Sequence, residues 1–441
     1  MLHYKLDKHG AIQECKSRVV AQGFSQVEGI DYKETFSPMA KLTAIQIIAT
    51  LAVRSDWEIE QTDVVGVYLN AKLKDDIFMC QPKGFKVPGK ERSVLCLKRV
   101  IYGLKQSGHE WYNELKCTLL SIGFTRCHVE HAVFYRYDQD AIVLAVDVDD
   151  ITITGDSKRG IKRFKEQLST QYKIKDLGDL NWLLGLEVTR DRNQRTITFG
   201  QSVYIQKVVD RFNLQDTKPL MIPMSSGDNL SIKDCPEAPD EIDKMRHIPY
   251  KEAIGSLMYA VIGSRPDIIY AVSYLAHFMQ NPGSVYWEAV KRVIRYLNGM
   301  KDAKLTVGLG GTFEWAQADR QNRRGLEGFS DADGNSHEHR HAILGYVFMI
   351  DGGAVSWNLR KQLLVSLSTT ESKYVAVMHA SKEVLWIRAF LSNVFHPLMC
   401  PVLLYCDNMS AIAVVNNDKY HARMKHINSH EAYRSPVPFY S

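Results

Sequence analysis

The first half of the chain mixes the two periodicities that distinguish strands from helices. Residues 56–69 begin with alternating polar and apolar positions, which predicts a strand. Residues 141–154 contain two β-branched runs around an acidic pair, which predicts a β-hairpin with the acids at its turn. Residues 158–171 place apolar side chains at helical spacing among basic ones, which predicts an amphipathic helix.

The rest of the chain has a helical stretch followed by a smaller mixed segment. Apolar residues recur at i, i+3 and i+4 across residues 250–278 and 285–297, which predicts helices. The last segment is expected to form two strands, a helix and a further strand at residues 345–350, 354–357, 370–391 and 402–406. This order favours a small mixed α/β domain.

Two polar stretches separate these regions. Residues 224–250 are acidic and interrupted by proline, as in a linker, and residues 308–328 are rich in glycine with a small basic cluster. We therefore predict three regions, which are residues 1–224, 225–325 and 326–441.

Composition excludes several classes of protein. The 441 residues are 45% hydrophobic and 24% charged, which excludes wholesale disorder and a disulfide-stabilised miniprotein. No apolar run approaches the roughly 20 residues of a membrane span, and the charged start lacks the apolar core of a signal peptide. The cysteines form no C-x-x-C pair, which predicts a reduced, intracellular chain. A net charge of +5 allows a polyanionic partner without requiring one.

The predicted hairpin turn carries the most specific chemical signal. Asp149 and Asp150 are adjacent carboxylates that repel each other, and a divalent cation would relieve that repulsion. A solvated turn is the alternative, because aspartate is common in turns. Asp63 ends a predicted strand and precedes an apolar stretch in which an unpaired acid is costly to bury. If the two strands are neighbours, three carboxylates converge, as two-metal phosphoryl transfer requires.

Nine ordered segments carry a family resemblance through nearly the whole chain. They are residues 16–41, 61–73, 97–112, 146–155, 177–188, 250–282, 328–348, 366–376 and 404–412. With motifs such as VDVDDITITG and SLSTTESKYVA, the chain resembles the polymerase region of Ty1/copia-type retrotransposons. The resemblance implies an α+β fold: a right-hand polymerase with fingers and palm (1–224) and a thumb or connection region (225–325), then a ribonuclease H-like mixed α/β domain (326–441).

The resemblance also implies roles for individual residues. Asp63, Asp149 and Asp150 match the catalytic, metal-binding carboxylates of the palm. Tyr68 matches an aromatic residue that lies under the incoming sugar and favours deoxynucleotides, although a core tyrosine would give the same pattern. The resemblance implies nucleotide binding by Lys16 and Arg18 as well, and a solvated charge pair is the alternative. It implies the same role for Tyr102, Gly103, Lys105 and Gln106, for which a plain turn before a helix is the alternative. Trp182 matches a hairpin that positions the primer, or it belongs to the apolar core.

The polymerase segments depart from the family pattern in two places. Where the family has Tyr-Val-Asp-Asp, this chain has Asp147 in place of the tyrosine. By strand alternation Asp147 and Asp149 should lie on the same face, and their like charges should raise the pKa values of neighbouring carboxylates. The family's Gln-Ala-Pro-Arg is replaced at residues 106–109 by Gln-Ser-Gly-His, which loses a rigid proline and a cation. Because the chain begins at what matches the first fingers strand, we also expect earlier fingers residues to be missing.

The last region matches ribonuclease H with a damaged acidic site. Asp331 and Asp407 match two of the four metal-binding catalytic acids that the resemblance implies. The helix residue expected to supply another acid is Lys373, whereas Glu371 lies roughly 200° away around the helix. A lysine in such a cluster would oppose metal entry. The fourth acid is expected beyond residue 428, where the similarity stops, as after truncation or a frameshift.

Local basic faces are a further signal for a nucleic-acid partner. They comprise Arg159, Lys162, Arg163 and Lys165, then Lys291, Arg292 and Arg295, then Arg323 and Arg324. Each is either a solvated face or part of a track along the primer–template backbone.

Two functions follow. The first is an RNA-directed DNA polymerase that uses two Mg²⁺ or Mn²⁺ ions per active site, binds an RNA or DNA template with primer and deoxynucleoside triphosphates, and carries an impaired ribonuclease H domain. The second is a decayed, catalytically inactive remnant that only binds nucleic acid. The resemblance also implies element-encoded capsid and integrase as partners. The lack of a signal peptide and of a membrane span, together with the scattered thiols, predicts no membrane partner and an intracellular location, in the cytoplasm or in particles, with access to the nucleus.

Overall fold

Helices and strands are mixed throughout the chain, as expected from the sequence. The computed structural model describes residues 2–6, 12–225, 230–308, 325–333, 341–363, 365–395, 402–416 and 439–440. Strands β1 to β19 lie, in order, at Leu2–Leu6, Ile12–Ser17, Glu58–Val64, Lys72–Cys80, Val94–Arg99, Thr125–Arg126, Val133–Tyr137, Ala141–Asp147, Asp150–Gly155, Ile174–Asp179, Trp182–Leu183, Leu186–Asp191, Thr196–Gly200, Leu305–Val307, Leu326–Ala332, Ile343–Ile350, Gly353–Lys361, Leu403–Tyr405 and Phe439–Tyr440. Helices α1 to α11 lie at Leu42–Arg54, Val67–Asn70, Ser107–Ser121, Lys158–Ser169, Ser202–Arg211, Pro239–Arg246, Tyr250–Gly263, Ile269–Ala276, Ser284–Gly299, Thr369–Val394 and Met409–Asn416.

The chain divides into two compact units. The first comprises residues 1–45 and 57–179, and the second comprises residues 46–56 and 180–441. The three regions expected from the sequence stay a prediction. Within the part of the chain that the structure describes, no helix is long and apolar enough to cross a bilayer.

An antiparallel sheet of six strands forms the centre of the first unit, in the order β10-β3-β9-β8-β7-β6. The hairpin predicted at residues 141–154 is confirmed as β8 and β9. Both strands are buried at nearly every position, because α3 and α4 contribute Trp111, Ile161 and Phe164 to the same apolar core. Strand β3, which carries Asp63, is the neighbour of β9, so the strand pairing on which the acidic site depends is present.

The predicted amphipathic helix at residues 158–171 is α4. Ser157 caps its N-terminus, accepting a hydrogen bond from the backbone N–H of Gly160 at 3.0 Å. Its apolar face is buried against the sheet through Ile161, Phe164 and Leu168. The periodicity of apolar residues was therefore sufficient to predict this element.

The second unit contains a helical cluster in which α5, α7, α8 and α9 pack around one apolar core. The helical stretch expected across residues 250–278 is confirmed, but it is divided into α7 and α8 by a short 3-10 turn at Pro266–Ile268. Pro266 accounts for the break, because proline lacks the backbone N–H and clashes with the preceding helical turn.

Two further sheets belong to this unit. One has the order β11-β12-β13-β14, and the other has the order β17-β16-β15-β18-β19. In the second sheet β15, β16 and β17 are antiparallel, whereas β18 runs parallel to β15, and α10 packs against β15 and β16. The carboxyl ends of β15 and β18 therefore meet at one edge, which is where Asp331 and Asp407 lie.

Candidate active site

Three aspartates form a row across neighbouring strands of the first unit. Asp63 pairs with Asp150 between β3 and β9, and Asp150 pairs with Asp147 between β9 and β8. Directly opposed residues of antiparallel strands point to the same face of a sheet, so their carboxylates emerge side by side. We call Asp63, Asp150 and Asp147 the acidic row.

Asp149 lies in the turn next to this row. Strand β8 ends at Asp147 and β9 begins at Asp150, so Val148 and Asp149 form a two-residue turn in which Val148 has a φ of 56°. The carbonyl of Asp149 accepts a hydrogen bond from the backbone N–H of Val64 at 2.9 Å, beside Asp63. The expectation that Asp147 and Asp149 occupy one strand is wrong, because the chain reverses between them.

The negative charges of these residues affect each other. Burial raises the pKa of Asp150, and the carboxylates of Asp149, Asp63 and Asp147 raise it further, opposed by a hydrogen bond from Gln61 Nε2 at 3.2 Å. Burial and then Asp149 raise the pKa of Asp147. The predicted crowding by Asp147 is confirmed in direction, although burial is the larger cause.

A tryptophan to which the sequence motifs assign no role holds the turn in place. Trp111 of α3 is 1% exposed, and its indole Nε1 donates a hydrogen bond to the carbonyl of Val148 at 2.7 Å. The backbone N–H of Ala40 donates to the carbonyl of Val146 at 3.0 Å, just before the turn. The large buried side chain in the segment Glu110–Trp111–Tyr112 was the available signal, but its partner depends on tertiary packing.

Tyr68 lies close to the acids. It belongs to α2, which follows Gly66 in a left-handed conformation with a φ of 64°, and it is not part of a strand. Its ring contacts that of Tyr102 edge to face at 5.0 Å, and the guanidinium of Arg18 lies 5.0 Å from the centre of the Tyr102 ring. Burial raises the pKa of Tyr68, with Asp149 as the next cause. The structure thus brings Arg18, Tyr102 and Tyr68 together beside Asp149.

The segment that follows Tyr102 is shaped by a close backbone approach. Gly103 has a φ of 91°, and a Cβ added there would lie 2.2 Å from the carbonyl oxygen of Ala21. Only glycine fits such a position without displacement of the neighbouring backbone. Lys16 lies in β2, where it pairs with His3.

Gln106 and Lys105 contact the loop at residues 22–32. The Gln106 side chain is 3% exposed; its Nε2 donates to the carbonyl of Asp31 at 3.0 Å, and its Oε1 accepts from Gln26 Nε2 at 3.1 Å. Lys105 Nζ lies 3.3 Å from the hydroxyl of Tyr32. Gln106 therefore holds this loop and does not face solvent, whereas Lys105 stays at the surface.

Gly108 and His109, which stand where the family has proline and arginine, make local contacts. His109 Nδ1 donates to the carbonyl of Phe36 at 2.8 Å, and its Nε2 lies 3.8 Å from the Glu34 carboxylate. A Cβ added at Gly108 would lie 3.0 Å from Ser37 Cβ. A proline at residue 108 would therefore crowd the segment before α1.

Two of the sequence expectations need adjustment. Lys165, expected on a basic face, is 6% exposed and lies 2.5 Å from both Glu60 Oε2 and Asp176 Oδ1, so for this residue both alternatives, the solvated face and the phosphate track, are wrong. Trp182, in the short hairpin of β11 and β12, is 50% exposed, which argues against a core role. Arg323 and Arg324 lie outside the described residues.

The acids of the last region are joined by a lysine. Asp331 lies in β15 and Asp407 lies two residues beyond β18, which are parallel neighbours paired at Phe329 and Tyr405. Lys373 Nζ lies 2.6 Å from Asp331 Oδ1 and 2.5 Å and 2.6 Å from the two oxygens of Asp407. The fourth acid, expected beyond residue 428, lies outside the described residues.

Glu371 has another role. The hydroxyl of Ser368 accepts a hydrogen bond from the backbone N–H of Glu371 at 3.2 Å, and the Glu371 carboxylate accepts one from the backbone N–H of Leu367 at 2.6 Å. This reciprocal cap begins α10. The expectation that Glu371 does not reach Asp331 and Asp407 agrees with this contact.

The two acidic sites differ in how they suit a divalent metal. No group of three or more His, Cys, Asp or Glu side chains in the described part of the chain is already arranged to hold an ion. At the acidic row all the oxygen donors are carboxylates, which Mg²⁺ prefers. The neighbouring negative charges help to raise the pKa of Asp150, and a bound cation would offset those charges. Asp331 and Asp407 do not fit a metal, because the Lys373 ammonium lies between them.

Comparison with known proteins identifies relatives along the whole chain. The family model described as reverse transcriptase (RNA-dependent DNA polymerase) matches residues 2–226, just over half of the chain. The chain is 38% identical over 431 residues to the retrovirus-related Pol polyprotein from transposon TNT 1-94 of Nicotiana tabacum, which covers 96% of this chain and 31% of that one. It is 34% identical over 426 residues to the Pol polyprotein from transposon RE2 of Arabidopsis thaliana, covering 96% and 28%.

The chain thus spans less than a third of the length of these two polyproteins. A crystal structure of prototype foamy virus protease-reverse transcriptase matches 97% of this chain and 66% of that one, with 12% identity and a TM-score of 0.22. The expected resemblance to Ty1/copia-type polymerases is confirmed by the family match and the polyprotein relatives. The chain belongs to the reverse transcriptase (RNA-dependent DNA polymerase) family of nucleotidyltransferases, within its copia-type retrotransposon group.

Proposed function

We propose that the chain is the polymerase region of a copia-type Pol polyprotein and extends a primer on an RNA or DNA template with deoxynucleotides. The observation that carries this proposal is the pairing of Asp63 with Asp150 across β3 and β9, with Asp149 in the adjoining turn. These three acids match the catalytic carboxylates of the family. The right-hand polymerase architecture is part of the same proposal.

Asp63, Asp149 and Asp150 would hold two divalent ions, Mg²⁺ or Mn²⁺. When bound, such ions activate the primer 3′-oxygen and stabilise the leaving pyrophosphate. The chain itself fixes the spacing of the carboxylates: strand register sets Asp63 against Asp150, and the Trp111 indole holds the turn that carries Asp149. The register of β3 and β9, which sets Asp63 against Asp150, supports convergence of the carboxylates on an ion.

The residues around Tyr68 support a nucleotide-binding role. Tyr68 lies against Tyr102 and beside Asp149, where its ring can contact the sugar of the incoming nucleotide and exclude a 2′-hydroxyl. Arg18, whose guanidinium lies over the Tyr102 ring, can bind triphosphate oxygens through charge-assisted hydrogen bonds. We assign Lys16 and Lys105 to the same triphosphate. Gly103 and Gln106 act by shaping the adjoining backbone.

We further propose that residues 326–441 form a ribonuclease H-like domain without nuclease activity. The strand order β17-β16-β15-β18-β19, with α10 between β17 and β18 in the chain, supports this fold. Asp331 and Asp407 at the ends of adjacent parallel strands support descent from an acidic catalytic site. The ion pairs of Lys373 with both acids support loss of that activity.

The proposal has consequences for partners and location. A template with primer and deoxynucleoside triphosphates would be its substrates, and element-encoded capsid and integrase would be partners of the longer polyprotein. Because these substrates are intracellular, the proposal assigns the chain to the cytoplasm or to particles, with access to the nucleus.

A binding-only remnant is the second candidate, and Asp147 is the observation that favours it. Its carboxylate extends the acidic row by one position and is held half-buried beside Asp150. An additional negative charge there would bind the ions in a different arrangement or repel the primer phosphates.

Primer extension on a homopolymer template, in Mg²⁺ and separately in Mn²⁺, tests the two candidates. The polymerase proposal predicts extension by the unsubstituted chain and its loss in Asp149→Asn. A matched control is Asp138→Asn, because Asp138 is an aspartate with a 61% exposed side chain in the connection between β7 and β8. Template binding without extension in either metal would support the binding-only remnant and overturn the polymerase proposal.

A further inference from the structure

The contacts of Lys373 determine what the acidic end of the last sheet can bind. Its side chain is 15% exposed, whereas those of Asp331 and Asp407 are 74% and 69% exposed. The Lys373 side chain is thus far less accessible to solvent than the two carboxylates that its ammonium contacts. Burial lowers the pKa of Lys373, but the hydrogen bonds that its ammonium donates to Asp331 and Asp407 outweigh this effect and raise the pKa overall.

This geometry uses the oxygens that an ion would need. Lys373 Nζ lies within 2.6 Å of one Asp331 oxygen and of both Asp407 oxygens. A divalent ion between the same carboxylates would sit about 2 Å from those oxygens, which is the space that the ammonium occupies. The nearest alternative acid on α10, Glu371, is engaged in the helix cap.

We infer that Lys373 is a built-in cation that replaces a divalent ion and ties α10 to β15 and β18, and that Lys373→Glu converts this edge into a divalent-cation site. A glutamate at the same helical position would place a third carboxylate beside Asp331 and Asp407. The charge at the edge would change from two negative and one positive to three negative, which only a bound cation would compensate. The inference goes beyond the proposed polymerase function and does not depend on it.

Counting bound Mn²⁺ by electron paramagnetic resonance tests the inference on the full chain. All variants carry Asp63→Asn and Asp150→Asn, so that ions bound at the acidic row are not counted. The test therefore stays valid even if the polymerase proposal fails. Lys373→Glu should bind one more Mn²⁺ per chain than the parent. Lys382→Glu makes the same charge change at an exposed position of the same helix and should bind no additional ion.

Thermal melting in EDTA and in Mg²⁺ gives a second readout. The parent should melt at the same temperature in both, whereas Lys373→Glu should melt lower than the parent in EDTA and recover in Mg²⁺. If Lys373→Glu does not fold, Lys373→Gln replaces it, and its melting temperature should likewise rise with Mg²⁺. The inference is overturned if folded Lys373→Glu binds no additional Mn²⁺. It is also overturned if the parent binds an ion that Asp331→Asn removes.

Discussion

Replacing Trp111 with phenylalanine should weaken the turn that presents Asp149 and Asp150. The indole is 1% exposed and donates at 2.7 Å to the carbonyl of Val148, whose φ is 56°. A phenyl ring keeps much of the packing but leaves this carbonyl without its donor, at a cost of about 1–3 kcal/mol. The left-handed conformation of a valine adds strain of roughly 1–2 kcal/mol, which the hydrogen bond helps to offset.

Urea denaturation and steady-state primer extension measure the two consequences. The free energy of unfolding should fall by about 1–3 kcal/mol. The kcat should fall roughly 10- to 100-fold, because a displacement of about 1 Å at a catalytic group has an effect of that size. KM for the nucleotide should change little, since Tyr68 and Arg18 are untouched. Trp386→Phe, on α10 where the ring stacks on Phe390 at 5.5 Å, is the control and should leave kcat unchanged. Reduced stability with an unchanged kcat in Trp111→Phe would refute the positioning role.

Three further substitutions test other parts of the structure. Asp147→Asn should raise the free energy of unfolding in metal-free buffer. This gain should be absent below the ordinary aspartate pKa of 3.8 and should grow as pH rises through the raised pKa of the folded state. Urea denaturation midpoints at several pH values measure it. A constant difference at all pH values would contradict this account. Lys165→Met should reduce the free energy of unfolding by roughly 2–3 kcal/mol, which is less than for a fully buried pair because one acidic partner is largely exposed. Lys162→Met is the control: its side chain is 79% exposed, so the free energy of unfolding should change little. Tyr68→Val should raise the rate of ribonucleotide incorporation relative to that of deoxynucleotides in primer extension, and an unchanged ratio would exclude a sugar-sensing role.

Local patterns predict the elements that carry the site but not their pairing. The β-branched runs of β8 and β9 and the apolar spacing of α4 act within a few residues, so they are visible in the sequence. The register that sets Asp63 against Asp150 joins strands far apart in the chain, and only the folded sheet fixes it. The same limit explains the wrong expectation for Asp147. Alternation along a strand does not apply across a turn, and the position of this turn is set by the pairing of β8 with β9.

Charged residues show a second limit. Lys165 lies on a basic helix, yet its position in the sheet packing buries it between Glu60 and Asp176. Gln106 matches a nucleotide-binding motif, yet its amide is used inside the protein. Lys373 was recognisable as a departure from the family's acid. Its reach to both aspartates depends on the packing of α10 against β15 and on the parallel pairing of β15 with β18.

The most direct test of the central claim is an anomalous difference map from crystals of the unsubstituted chain soaked in Mn²⁺. The account predicts a peak about 2 Å from carboxylate oxygens of Asp63 and Asp150, at the acidic row and its turn. It predicts none between Asp331 and Asp407, where Lys373 lies. Crystals that bind Mn²⁺ elsewhere but show no peak at Asp63 and Asp150 would contradict it.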